Sequence, residues 1–307
     1  MTQKSARAVT TDAMNITKWL EKNTSSLRGR TVALTGSTGG LGRELSRYIL
    51  SLGADLILLD RNKFKQAALI DELSQRYPTA SVRGLNLDLE DMESVRACID
   101  ALLDIGIDMF IHNAGAYSIP RHKTPEGFDN VFAINFLSPY YMIRKLLPML
   151  DKRCGRVVVV GSIAHDYSKI DTEDVDFSHR TRASLVYGNA KRYLMYSLYP
   201  LFEDGRAALA VTHPGITFTN ITAHYPKLVF ALIKHPMKLI FMKPRKAALS
   251  ILRGLFDKTE SFTWIGPRCF NVWGIPKKSG LKSASPVERE KIAEIADKLY
   301  RKIDILP

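Results

Sequence analysis

Short apolar, strand-like runs punctuate the first two thirds of the chain: TVALTG (31–36), LILLD (56–60), SVRGLNLD (81–88), MFIHNAG (109–115), RVVVVGS (156–162) and AALAVTHPG (207–215). Stretches such as LILL and VVVV leave no wet face, as a strand buried on both sides of a parallel sheet requires. Between the runs, Arg43–Leu52, Lys63–Arg76, Met92–Leu103 and Asp129–Leu150 repeat apolar residues at three-and-four spacing, the period of an amphipathic helix. Each connection is long enough to hold a crossover helix. The pattern predicts an α/β fold, a doubly wound parallel sheet with helices on both faces. Residues 1–28, with an amphipathic stretch at Ile16–Leu20, form an N-terminal helical extension. Residues 29–220 form the core. Residues 221–307 depart from the pattern and read as helices of the same domain, ending in an amphipathic helix from Pro286 to Ile303 behind Ser285 as N-cap.

Charge changes this picture little. The formal net charge is +13, but residues 221–307 hold 17 Lys/Arg against 7 Asp/Glu and so supply +10 of it, leaving the core nearly balanced. The basic part has no zinc-finger spacing, heptads or aromatic ribonucleoprotein motif, so no nucleic-acid partner is expected. Cys98, Cys154 and Cys269 are odd in number and far apart, which argues against disulfides and against a metal site. No secretory-type apolar run opens the sequence and none is long enough to span a bilayer, so a cytoplasmic location is expected.

Candidate chemistry begins at Thr35-Gly36-Ser37-Thr38-Gly39-Gly40-Leu41-Gly42, which joins the first strand to the first helix. Gly36 suits a tight turn, Gly40 a close approach of backbone to a pyrophosphate, and Gly42 tight packing of helix on strand, as in a Rossmann dinucleotide site. The spacing is G-x-x-x-G-x-G rather than G-x-G-x-x-G, and no Gly-Lys-Ser/Thr follows, which excludes a nucleotide triphosphatase loop. Asp60 ends the second strand 24 residues after Gly36, where a carboxylate holds adenosine ribose hydroxyls. Arg61 beside it could instead pair with a 2′-phosphate. Asp60 would repel that phosphate and Ser37, Thr38 and Gly39 supply no cation, so NAD is expected ahead of NADP. Asp88-Leu89, after the third strand, is placed to meet the adenine.

Tyr187 and Lys191 are four residues apart, on one face of a helix. An ammonium held near a phenol favours phenolate, which would bring Tyr187 toward a working range as acid and base. Ser162 follows VVVV at the carboxyl end of a central strand, where its hydroxyl could bond a substrate oxygen. Asn135 lies on the long helix, positioned to hold Lys191. Asn113-Ala114-Gly115 ends the fourth strand beneath the cofactor ribose, and Pro214, Gly215 and Thr219 follow the sixth strand beside the nicotinamide.

As a set, these motifs resemble the short-chain dehydrogenase/reductase family over residues 29 to 220. The resemblance implies an Asn135-Ser162-Tyr187-Lys191 tetrad, an NAD or NADP cofactor, and hydride transfer between nicotinamide and an alcohol or carbonyl with Tyr187 exchanging the proton. It implies that family members assemble as homo-oligomers. The 25-residue gap from Ser162 to Tyr187 and the Ser-Ile-Ala-His that begins at Ser162 look like the retinol dehydrogenase and WW-domain oxidoreductase branch. His112 stands where the family usually has Asn. Two other classes stay open: a carbon–carbon double-bond reductase, and a catalytically silent NAD(P)-binding sensor or scaffold.

In the family, the region after the nicotinamide loop is the substrate lid. Here that place is taken by KLVFALIKHPMKLIFMKPRK (227–246), with six Lys/Arg and no acid. It suits, first, helices lining a greasy pocket and, after that, a peripheral contact with an anionic membrane. Either points to a lipophilic substrate of steroid, retinoid or lipid type. Trp264, Phe270 and Trp273 are expected to pack in the core.

Overall fold

The computed structural model describes residues 15–217 and 242–305; Thr219 and most of the 227–246 segment lie outside them. Eight strands form one sheet in the order β3-β2-β1-β4-β5-β6-β7-β8, where β1 is Thr31–Thr35, β2 Asp55–Asp60, β3 Val82–Asn86, β4 Met109–His112, β5 Arg156–Val160, β6 Ala208–Thr212, β7 Thr263–Cys269 and β8 Trp273–Gly280. The first seven run parallel to their neighbours, with Ala33 opposite both Ile57 and Phe110, for example. The strand order reverses between β1 and β4, and that reversal opens a crevice at their carboxyl ends.

Alternate residues of each strand feed two cores, as a period of two demands. On one face Ala33, Ile57, Phe110, Val157 and Val159 pack under α4 (Met92–Ile105), α6 (Ser138–Lys152), α7 (Ala183–Ser197) and α9 (Pro286–Asp304). On the other face Val32, Leu34, Leu56, Val158 and Val160 pack under α2 (Gly40–Ser51), α3 (Lys63–Arg76) and α8 (Pro244–Gly254). The N-terminal helix α1 (15–23) joins this second core through Ile16. Side-chain caps start several helices where the sequence puts Asn, Asp or Ser: Asn62 for α3, Asp91 for α4 and Ser285 for α9. The long helix that the sequence predicts over 129–150 is α5 (Asn130–Phe132) and α6, joined by one π turn, Ala133–Leu137.

The C-terminal region differs from its helical expectation. β7 adds to the sheet beside β6, and β8 turns back antiparallel to it. Gly266, Pro267, Gly274 and Pro276 interrupt both segments and hide the strand period. Pro267 faces Pro276 across the hairpin, and the β6 ladder pairs only Trp264 and Ile265 before Pro267 is reached, because proline has no N–H to offer. Trp264 is buried in the core as expected. Phe270, at the tip, is 92% exposed and Trp273 54%, so these two do not pack there. Phe270 and Asn271 at the tip both hold left-handed backbone.

Candidate active site

A cleft of about 500 Å³ occupies the crevice, lined by Gly36, Thr38–Gly42, Asp60, Arg61, Asp88, Leu89 and Asn113–Ala116. Close packing explains its glycines. Gly36 has φ +68°, and a β-carbon on it would touch Ala114; one on Gly42 would stand 2.2 Å from the Gly36 carbonyl. Gly39 ends the turn in extended backbone and gives α2 no side-chain cap, and the first turn of α2 holds no acidic residue. The first N–H groups of α2 are therefore left for an anion, with the positive end of the helix dipole behind them.

Asn113 ties this turn to β4. Its Nδ2 donates to the carbonyls of Thr35 (3.0 Å) and Gly36 (3.1 Å), while the Thr35 hydroxyl accepts from the N–H groups of Asn113 (3.0 Å) and Ala114 (2.9 Å). With two donors already on its oxygen, Thr35 has its own proton to give, and His112 Nδ1 stands 3.3 Å away. His112 thus completes the turn without an asparagine, and burial holds its pKa well below the usual imidazole range. Its Nε2 is buried without a partner.

Asp60 is buried and committed to the same turn. It accepts from the Ser37 hydroxyl, and from the Thr38 N–H (3.0 Å) and hydroxyl (2.8 Å). Arg61 is the exposed partner, paired with Glu90 at 3.1 Å and Asp88 at 3.8 Å. The Arg61 guanidinium is thus neutralised at the rim of the cleft, where Lys65 is a second cation. These residues fit a dinucleotide: a backbone cradle for phosphates at one end of α2, and carboxylates for ribose hydroxyls at the end of β2.

Beside the Asn113–Ala116 side of the cleft, α7 presents Tyr187 and Lys191, with Lys191 Nζ 3.5 Å from where a Gly115 β-carbon would lie. Lys191 Nζ lies 5.7 Å from the Tyr187 ring centre and donates to the Val160 carbonyl at 3.0 Å. Ser162 caps the short helical turn Ile163–Asp166, accepting from Ala164 N–H at 3.2 Å. Its side chain also reaches Tyr187, where it favours the phenolate. Asn135 sits in the π turn, and its Nδ2 donates to the carbonyls of Ala116 and Val131, both at 2.8 Å. The turn widens the helix at that one point, which the three-and-four spacing does not reveal. Asn135 does not grip Lys191 directly. A β-carbon on Gly115 would lie 2.8 Å from Asn135 Oδ1 and 3.5 Å from Lys191 Nζ, so the two polar ends flank Gly115 instead. Gly215 (φ +82°) turns the chain after β6, packed against the Val272 carbonyl of the β7–β8 hairpin.

The sequence reading of the Tyr187–Lys191 pair needs one correction. Burial outweighs mutual attraction. The Tyr187 phenol is pushed up to about 12, chiefly by desolvation, with Ser162 pulling it down and Tyr117 pushing it up. Desolvation brings Lys191 down to about 7. At neutral pH the tyrosine is a phenol, ready to donate a proton. Tyr117, missed in the sequence, meets the Tyr187 ring edge-on at 5.3 Å. An aromatic residue two positions after Gly115, in a loop at a strand's carboxyl end, was the available signal. Among the described residues no group of three or more His, Cys, Asp or Glu is placed to hold a metal ion.

Comparison with known proteins gives the same account of residues 30–172, which match the model of the short chain dehydrogenase family. Retinol dehydrogenase 14 of Homo sapiens is 32% identical over 243 residues, 72% of each chain. The Mus musculus protein of that name is 31% identical over 214 residues, and the match covers 64% of each, so the chain spans less than two thirds of that relative. Polyprenol dehydrogenase of Homo sapiens is 26% identical, over 64% of this chain and 63% of its own. A crystal structure of an uncharacterized protein from Mycobacterium paratuberculosis superposes with a TM-score of 0.72 at 26% identity, covering 92% of this chain and 96% of that one.

Proposed function

Since this chain belongs to the short-chain dehydrogenase/reductase family of NAD(P)-dependent oxidoreductases, in its retinol dehydrogenase-like branch, we propose that it interconverts an alcohol and a carbonyl on a lipophilic substrate, with Tyr187 as acid and base. The observation that carries this is that Ser162 and Lys191 stand beside Tyr187 next to Gly115, which lines the glycine-rich cleft. The nicotinamide dinucleotide, when bound, supplies or accepts the hydride.

The chain's own residues handle the proton and the oxygen. In the reducing direction the Tyr187 phenol, protonated at neutral pH, gives its proton to the substrate oxygen. Ser162 donates a second hydrogen bond to that oxygen and stabilises the charge that develops on it. In the oxidising direction Tyr187 takes the hydroxyl proton, and this requires the phenolate that Ser162 and a protonated Lys191 favour. Asn135 fixes the Ala116 backbone beside Gly115, where Lys191 and the ribose side of the cleft meet. The Asp60 carboxylate and the Arg61 already paired with Asp88 and Glu90 support NAD over NADP, although Lys65 lines the same cleft as a cation that a 2′-phosphate would meet. Gly36–Gly42, Asp88, Leu89, Asn113–Gly115, Pro214, Gly215 and Thr219 hold the rest of the cofactor in this reading.

Retinol and polyprenol, named in two of the relatives, are long apolar alcohols. An isoprenoid alcohol or its aldehyde is accordingly the substrate class we assign. No helix among the described residues is long and apolar enough to cross a membrane. A titration of the protein with NADH and NADPH, followed by nicotinamide fluorescence, tests the cofactor, with Asp60→Ala and Arg61→Ala alongside. Tighter NADH binding that Asp60→Ala abolishes is expected; NADPH preference that depends on Arg61 would reverse the assignment. Turnover of all-trans-retinal with NADH, lost in Tyr187→Phe while NADH still binds, tests the chemistry, and unchanged turnover in that variant would remove Tyr187 from it.

A further inference from the structure

Ser162-Ile163-Ala164-His165 contains one side chain that the chemistry above leaves unused. His165 is buried in the turn that presents Ser162. Its Nδ1 lies 2.6 Å from the Ser162 carbonyl oxygen. A carbonyl only accepts, so Nδ1 carries the proton. Nε2 faces Asp166 at 3.2 Å, but that carboxylate is 55% exposed and water screens it. Burial keeps the imidazole below its ordinary pKa, hence neutral with its proton on Nδ1.

Elements α7, α9 and β7 hold this turn in place. Arg192, next to Lys191 on α7, donates to the His165 carbonyl at 2.8 Å and grips Glu288 of α9 with two bonds of 2.7 Å. The imidazole meets Trp264 of β7 edge-on at 5.4 Å, and Trp264 stacks on His213 at 5.3 Å and 15°. His213 leads directly into Pro214-Gly215. A continuous stack therefore links the Ser162 turn to the loop after β6, and the imidazole is its only member bonded to Ser162.

Resting on the reading that Ser162 binds the substrate oxygen, we propose that His165 is a positioning residue: by holding the Ser162 carbonyl it fixes the serine backbone and aims the hydroxyl at the oxygen beside Tyr187. A donor displaced by an ångström loses most of its effect on a transition state. His165→Leu removes the side-chain donor and leaves the residue's backbone N–H, which also donates to the Ser162 carbonyl at 3.2 Å. His165→Asn keeps the side-chain donor, because an asparagine Nδ2 falls where Nδ1 of histidine stands.

With all-trans-retinal and NADH, His165→Leu is expected to lower kcat by ~10- to 100-fold at unchanged NADH affinity. His165→Asn is expected to restore most of it. Near wild-type turnover in His165→Leu, or an asparagine variant as slow as the leucine one, would overturn the proposal. A wild-type protein that binds NADH but leaves retinal untouched would count against the substrate reading alone. The proposal is then decided by ¹⁵N NMR of the histidine-labelled protein at neutral pH, with His165→Asn assigning the signal. A neutral ring protonated on Nδ1 supports it; protonation on Nε2 instead, which breaks the bond to Ser162, overturns it.

Discussion

Consider the chain with Lys191 replaced by methionine, a side chain of similar length and no charge. The lysine ammonium titrates near 10.5 in water and at about 7 in the fold, because burial removes its hydration. Between those values the unfolded chain holds a proton that the folded chain has released, so stability rises with pH through that window. At about 1.4 kcal/mol per pKa unit, the buried group costs the fold about 4 kcal/mol at pH 7 and about 2 kcal/mol at pH 9. Methionine escapes this cost but leaves the Val160 carbonyl without its side-chain donor, a loss of about 1 kcal/mol. Lys191→Met should therefore be more stable than the parent by about 3 kcal/mol at pH 7, and the gap should shrink by about 2 kcal/mol at pH 9. Urea unfolding of both proteins at the two pH values, without nucleotide and followed by tryptophan fluorescence, measures it. A gap that does not change with pH, or a variant less stable than the parent at pH 7, would refute the reasoning. The variant should also be inactive, which would make Lys191 a residue kept for chemistry at the expense of stability.

Three more outcomes can be checked. Glu288→Ala strands the buried Arg192 guanidinium and should cost about 3–5 kcal/mol at neutral pH, read from thermal unfolding; Arg192 holds the Glu288 carboxyl below its usual range, against burial, so the pair's contribution should fade only as pH drops below about 4.5. Gly42→Ala drives a β-carbon into the Gly36 carbonyl and Ser37, both backbone, and should weaken NADH binding by ~10-fold or more, measured by fluorescence titration. Tyr117→Phe removes the neighbouring hydroxyl that pushes the Tyr187 phenol up, so the rising limb of alcohol oxidation against pH should move to lower pH; a limb that stays put or moves up would show that Tyr117 does not tune Tyr187.

The strands β1, β2 and β4 to β6 were legible because burial on both faces leaves a continuous apolar run; β3, at the sheet margin with Arg83 and Asn86 exposed, has no such run and was placed by its position between two helical segments. The glycine turn was legible because backbone crowding there admits no other residue at Gly42. Tyr187 and Lys191 announced themselves by helical spacing, and Ser285 by its place before Pro286. Other features depend on neighbours distant in the chain. The hairpin of β7 and β8 was lost because prolines and glycines erase its period, and only the adjacent β6 makes those segments a sheet. Spacing reports the proximity of Tyr187 and Lys191, whereas the effect of burial on each depends on surrounding protein that spacing does not show. Asn135 was found by type, but its grip on Ala116 and Val131 follows from a π turn invisible to periodicity. His165 was seen only as part of a motif; its work depends on Trp264 and Arg192, far along the chain.

The paired prolines of the hairpin have a colloidal consequence. Two residues without an N–H can face each other only where an antiparallel pair exchanges no hydrogen bonds, and there each backbone nitrogen points away from its partner. The nitrogen of Pro276 therefore looks outward, so the open margin of β8 lacks a donor at mid-strand, with exposed Lys277 and Lys278 following. At the opposite margin β3 carries the exposed Arg83. An incoming strand would lose a bond at one margin and have to strip water from a cation at either. The sheet thus resists accretion of further strands, and with it aggregation, through charges and a missing hydrogen bond at its margins.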